Sequence, residues 1–127
     1  MQVILLVGLG GFVGAVMRYL VTGWVQDLFR SLSFPYGIFA VNIIGCLLIG
    51  VVAGLSESRN FLTPEVRGLV VVGLLGGFTT FSAFGYESFE LLRSGQPITA
   101  FANIFLSVAV GLVAVWVGYS AAQLAHP

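Results

Sequence analysis

Gly76-Gly77-Phe78-Thr79-Thr80-Phe81-Ser82-Ala83-Phe84 decides how this chain reads. The nine residues sit in the middle of an apolar stretch long enough to cross a bilayer. They put two adjacent glycines, two threonines and a serine where a membrane helix is ordinarily hydrocarbon. Non-helical backbone persists at membrane depth only where protein covers it or a water-filled path runs past it. Broken membrane helices often mark ion sites, because their freed amides and carbonyls can face an ion. The stretch therefore predicts a broken helix in a protein that moves or binds a small ion.

The rest of the chain agrees with a membrane setting. Of 127 residues, 58% are hydrophobic and 8% charged, more apolar surface than a soluble domain of this size needs. Four spans are predicted, over residues 3–24, 36–55, 64–92 and 97–124, the third interrupted near 76–80. Each has about 20 residues or more, enough for about 30 Å of hydrocarbon. Pro35 introduces the second span. Pro64 and Pro97 suit first-turn positions, where a missing amide costs little. The connections are short, so residues 1–127 read as one all-α transmembrane domain. The first segment lacks a basic leading region and outruns a signal-peptide core, so a retained helix is expected.

The five basic residues are all arginines: Arg18, Arg30, Arg59, Arg67 and Arg93. The acids are Asp27, Glu57, Glu65, Glu87 and Glu90. Most lie between or near the ends of the apolar runs, where charges reach water. A net charge near zero makes nucleic acid a poor partner. Arg59 and Arg67 fall on one side of the membrane; Arg30 and Arg93 fall on the other, with Arg18 able to snorkel toward them. That is almost no positive-inside bias. Either five charges are too few to orient the chain, or it inserts both ways up, which permits an antiparallel homodimer. Gly10/Gly14, Gly50/Gly54 and Gly73/Gly77 are small-xxx-small pairs that let helix backbones approach.

Several chemistries lack material. Gly8-Leu9-Gly10-Gly11-Phe12-Val13-Gly14 imitates a dinucleotide-binding turn, but Val13 occupies the third glycine position and no βαβ alternation follows. The single histidine, His126, lies next to the C-terminus, so no Ser–His or Cys–His pair forms in the membrane. Cys46 is alone and reads as a small packing residue. Glu87 and Glu90 read as the exposed end of the third span. An enzyme is not expected.

The polar residues inside the spans remain. Asn42 must hydrogen-bond something, either a neighbouring helix or an ion whose charge suits its amide donors. Asn103 and Ser107, four apart, share a face of the fourth span, and Gly111 continues it. Packing is the favoured reading of Asn42 taken by itself, and it accounts for the face on the fourth span as well. Phe81 and Phe84 share a face where the chain is helical. Their positive ring edges, beside amides and hydroxyls, can stabilise a small anion without a fixed cation. No lysine or arginine lies at the break in sequence, which suits the weak binding that conduction needs.

These residues resemble the Fluc (CrcB) fluoride channel family. The matches are 76–84 followed by Glu87, Gly11-x-x-Gly14-Ala15-x-x-Arg18 in the first span, and Gly37-x-x-x-Val41-Asn42-x-x-Gly45 in the second. They extend over nearly the whole chain. The resemblance implies a dual-topology antiparallel homodimer with two fluoride pores, in a bacterial plasma or inner membrane. It implies that Phe81 and Phe84 line the pores, that Asn42 donates a hydrogen bond there, and that Asn103 and Ser107 lie on a polar track. Thr80 is a further pore candidate. The carbonyls of Gly76 and Thr79 from both subunits would hold a structural sodium ion; no organic cofactor is implied. Many relatives have Ser or Thr where this chain has Gly85, and several have Ser where it has Gly111. Backbone groups or water would then serve the far end of the track. The implied activity is passive, fluoride-selective export that relieves fluoride toxicity.

Two rivals stand beside it. A proton-coupled multidrug exporter needs an intramembrane carboxylate, and Glu87 is the one candidate. A packing subunit would use every polar residue as helix glue.

Overall fold

The computed structural model describes residues 1–125, so His126 lies outside the described residues. The chain is helical, and among the described residues there is no strand. Four segments are long and apolar enough to cross a membrane: Gln2–Leu28, Tyr36–Arg59, Pro64–Arg93 and Pro97–Ala125. They match the four expected spans, with α1 (Gln2–Leu28) and α2 (Tyr36–Arg59) each about one turn longer at the C-terminal end. At α1 the extension is functional. The Gln26 side-chain Oε1 accepts from the Gly37 amide at 3.3 Å, satisfying a donor that the start of α2 leaves open.

The helix ends follow local chemistry. α2 stops at Asn60, whose φ of 48° is left-handed, a conformation that Asn tolerates better than most residues. Thr63 caps the next helix by accepting from the Val66 amide at 3.3 Å, with Pro64 at its first position. The turn into the last helix is a Schellman motif: Gln96 N–H bonds the Leu91 carbonyl, Gly95 N–H bonds the Leu92 carbonyl, and Gly95 takes φ 80°.

The third span is made of unlike pieces. A short α3 (Pro64–Val66) runs into a π-helical stretch (Arg67–Leu75) and then α4 (Gly76–Phe78). Thr79 and Thr80 are extended, and α5 (Phe81–Arg93) begins after them. The break expected near 76–80 is thus confined to Thr79–Thr80, and Gly76 and Gly77 are helical. Gly77 and Gly73 serve close approach to α1 instead. A Cβ on Gly77 would lie 2.7 Å from the Gly11 carbonyl, and one on Gly73 would lie 2.7 Å from that of Val7.

The π winding puts a third glycine on the same face. Gly68 meets Val3 and Val7 of α1, yet it precedes Gly73 by five residues. On an α-helix a five-residue step turns the face away by roughly 140°. Winding with i→i+5 hydrogen bonds brings such residues back into line.

Packing divides the bundle into two helix pairs. α1 lies on the π stretch and α4, whereas α2 packs most extensively on α6 (Pro97–Ala125). α5 packs mainly on α6. The break therefore hands the third span from one pair to the other. The α2–α6 seam is built from Gly50, Gly54, Gly111, Ala114, Gly118 and Ala122, all buried. All three expected glycine pairs, Gly10/Gly14, Gly50/Gly54 and Gly73/Gly77, lie in close helix seams.

Candidate functional site

The extended link at Thr79–Thr80 removes two residues from the helical ladder, and its hydrogen bonds show how the chain compensates. Thr79 turns back on the first half, its amide and its Oγ1 both donating to the Leu75 carbonyl at 3.0 Å. Thr80 turns forward, its Oγ1 accepting from the Ala83 amide at 3.3 Å as the cap of α5. The backbone of Thr80 is held from outside the span. Asn42 on α2 donates through Nδ2 to the Thr80 carbonyl at 3.1 Å and accepts from the Thr80 amide at 2.8 Å. Asn42 thus replaces, across 38 residues of sequence, the helical partners that Thr80 has lost.

Other groups at the break stay open. Among the described residues no hydrogen-bond donor meets the Gly76 or Thr79 carbonyl. Gly76 is exposed on the single chain. The C-terminal end of the first half carries partial negative charge and the N-terminal end of α5 partial positive charge. One break thereby offers carbonyls suited to a cation and amides suited to an anion.

Around the break lies a cleft of about 440 Å³. Asn42, Gly76, Thr79, Thr80, Phe81, Phe84 and Ser107 all line it, with Gly45, Cys46, Ile49, Val71, Leu75 and Val108. None of these residues is charged. Seven of the eight residues expected at a site therefore converge on one surface. Phe81 and Phe84 stand with ring centroids 5.7 Å apart, tilted by 47°. Phe81 is 83% exposed on the single chain. Cys46, expected as a packing residue, is half-buried and touches the space beside Gly111.

Asn103, the eighth residue, sits behind the cleft, 2% exposed. It connects to the cleft through Ser107, whose Oγ donates to Asn103 Oδ1 at 3.4 Å. On its other side Nδ2 donates to Ser88 Oγ at 2.9 Å, and Ser88 donates to the Phe84 carbonyl at 2.8 Å. Sequence reasoning missed Ser88. Its signal was available, since Ser88 lies one helical turn after Phe84 and shares its face. Gly111, on the continuation of the Asn103–Ser107 face of α6, packs against Cys46 and Ile43 of α2.

Two neighbouring clefts carry the charges. Glu87 and Glu90 line a separate cleft of about 420 Å³ with Thr22, Gln26, Ser33 and Tyr86. Arg18 lines a third, of about 850 Å³, which Thr80 and Ala83 border. The break carries no basic residue in sequence, but α1 brings Arg18 to a cleft on which Thr80 opens.

A family model described as CrcB-like protein, Camphor Resistance (CrcB), matches residues 5–119. A protein of Geotalea daltonii, named fluoride-specific ion channel FluC, is 44% identical over 123 residues, covering 97% of this chain and 98% of the relative. One of Methylobacillus flagellatus with the same name is 45% identical, covering 98% and 97%. The fluoride-specific ion channel FluC 1 of Methanosarcina acetivorans is 47% identical, covering 93% and 88%.

Proposed function

This chain belongs to the CrcB-like family, and from that premise we propose that it is a passive, fluoride-selective channel and not an enzyme. It is a multi-pass membrane protein by its four spans. The observation that carries the reading is the uncharged cleft at the break, where Asn42, Thr80, Phe81, Phe84 and Ser107 face one space.

Hydrogen fluoride is a weak acid that crosses membranes uncharged and dissociates in a less acidic cytoplasm, trapping the anion. A passive pore releases it down its electrochemical gradient, relieving toxicity, with no nucleotide and no proton relay. Selectivity comes from donors that replace the water around a small anion in a narrow path. The ring edges of Phe81 and Phe84, the hydroxyls of Thr80 and Ser107 and the second N–H of Asn42 are such donors. Asn103 supports Ser107 from behind. A larger anion such as chloride is excluded by size and by poorer solvation. Proton-coupled drug exchange would need a carboxylate in the path, and the cleft lining contains none.

The working unit of this proposal is an antiparallel homodimer with two pores. Exposure of Phe81 and of Gly76 on the single chain supports it, because both belong to a site yet face outward. A structural sodium ion at the dimer centre fits the same break. A hard cation takes oxygen ligands, and the Gly76 and Thr79 carbonyls are oxygens without donors at the negative end of a half-helix. Sodium there would neutralise carbonyl dipoles that two copies bring together.

Purified protein in liposomes, loaded with fluoride and read with a fluoride electrode, tests the function. Rapid fluoride release with negligible chloride release is expected. No release from correctly assembled protein would reject the channel and make Glu87→Gln in a drug-exchange assay the next measurement.

A further inference from the structure

We propose that Ser88 is a positioning residue of the conduction path: it fixes the direction of the Asn103 amide and so keeps the Ser107 hydroxyl available as a donor. The inference rests on the channel reading of the cleft.

Ser88 has one proton, and it is committed. Its Oγ donates to the Phe84 carbonyl at 2.8 Å, the back-bond that serines commonly make within a helix. Only lone pairs remain on the oxygen, so whatever meets it must donate. Asn103 Nδ2 does so at 2.9 Å. The flipped amide would set Oδ1 against an oxygen with no proton left to give. Ser88 is 5% exposed and Asn103 2% exposed, so water cannot relieve that clash cheaply.

Asn103 Oδ1 is thereby turned toward Ser107, the one hydroxyl of this chain of bonds that lines the cleft. The Ser107–Asn103 bond is 3.4 Å long, well beyond the ordinary hydroxyl range. The three bonds run in one sense, from the cleft inward to the Phe84 carbonyl. The two inner bonds are short, and the one between Asn103 and Ser88 is buried; the outer bond is long. An anion in the cleft recruits the loosely held Ser107 proton while Asn103 stays still. Because Ser88 also grips the backbone of Phe84, it ties the ring lining the cleft to the hydroxyl facing it.

Four proteins test this: Ser88→Ala, Ser88→Thr, Asn103→Ala and the double variant Ser88→Ala with Asn103→Ala. Each is reconstituted at matched amounts of assembled protein and measured for fluoride and chloride efflux. Ser88→Ala is expected to slow fluoride efflux about fivefold or more, and Ser88→Thr, which keeps the hydroxyl, to restore it. In the Asn103→Ala background the Ser88→Ala change is expected to have no further effect, because the partner through which Ser88 acts is gone. If Ser88→Ala does not assemble, Ser88→Cys takes its place, with a poorer acceptor and the same expected direction. Wild-type rates for Ser88→Ala, or full additivity of the two substitutions, overturn the inference while the channel stands. Absence of fluoride release from the unmodified protein is the separate result that removes the channel reading itself.

Discussion

Asn42 on α2 completes the backbone of Thr80 in the third span, donating to its carbonyl at 3.1 Å and accepting from its amide at 2.8 Å. A side chain with one acceptor and one paired donor matches a peptide unit, which carries the same two groups. The break is thus held open by a second helix, with no strained dihedral at either threonine.

Asn42→Ala should remove both bonds and leave the Thr80 amide and carbonyl unpaired. A destabilisation of about 1–3 kcal/mol is expected from the unmatched groups. Fluoride efflux should fall with it. Thermal unfolding in detergent and liposome efflux, measured together, check the pair. A stable, fully conducting Asn42→Ala protein would mean the break needs no external support.

Phe81 and Phe84 offer a cleaner separation of stability from transport. Phe81 is 83% exposed on the single chain, so Phe81→Ile should leave the fold of each subunit intact. Isoleucine fills space but has no ring edge to solvate an anion. Efflux should drop at least about tenfold for each of Phe81→Ile and Phe84→Ile, a change of about 1.4 kcal/mol in the barrier. Matched efflux from all three proteins would show that the rings only pack.

Gly45 is constrained by Thr79. A Cβ at Gly45 would collide with the Thr79 methyl group. Gly45→Ala should therefore destabilise by about 1–3 kcal/mol, as overpacking does. Thr79→Ser removes that methyl and keeps the hydroxyl bonded to Leu75. The double variant should recover most of the stability and the transport. Melting temperatures of the three variants decide it, and failure of Thr79→Ser to compensate would show that the clash is absorbed elsewhere.

Sodium should matter through the assembly. An ion bound only to the folded dimer stabilises it in proportion to its occupancy. Replacing sodium with a large organic cation should lower the melting temperature and slow efflux, and restoring sodium should reverse both. Identical melting curves in the two media would leave the Gly76 and Thr79 carbonyls without the proposed cation.

Tyr119 supplies a negative control. Its hydroxyl donates to the Glu57 carboxylate at the far end of the α2–α6 seam, where Gln123 Nε2 also approaches Glu57 at 3.4 Å. Tyr119→Phe should cost about 1 kcal/mol or less, because the pair is exposed and Gln123 remains. Fluoride efflux at equal protein should be unchanged. Loss of efflux in this variant would mean that the seam controls the path.

The sequence alone determined the membrane setting, the four spans, the place of the break and seven of the thirteen residues that line the cleft. Those follow from local rules: apolar run length against bilayer thickness, proline at first turns, glycine in tight seams, and polar residues at a depth where each needs a partner. Tertiary structure decided what each of these does. Gly76 and Gly77 look like helix breakers in sequence, but both are helical, α1 needs the missing side chain of Gly77, and the extended backbone falls on the two threonines that Asn42 and the α5 cap can satisfy. Gly111 meets Cys46 and Ile43 of α2, and Ser88 of α5 supplies the hydroxyl that meets Asn103. Arg18 reaches a cleft bordered by Thr80 from a helix 62 positions earlier. Hydrogen-bond partners that lie on different helices are set by how the helices cross, and spacing along one helix carries no information about that crossing.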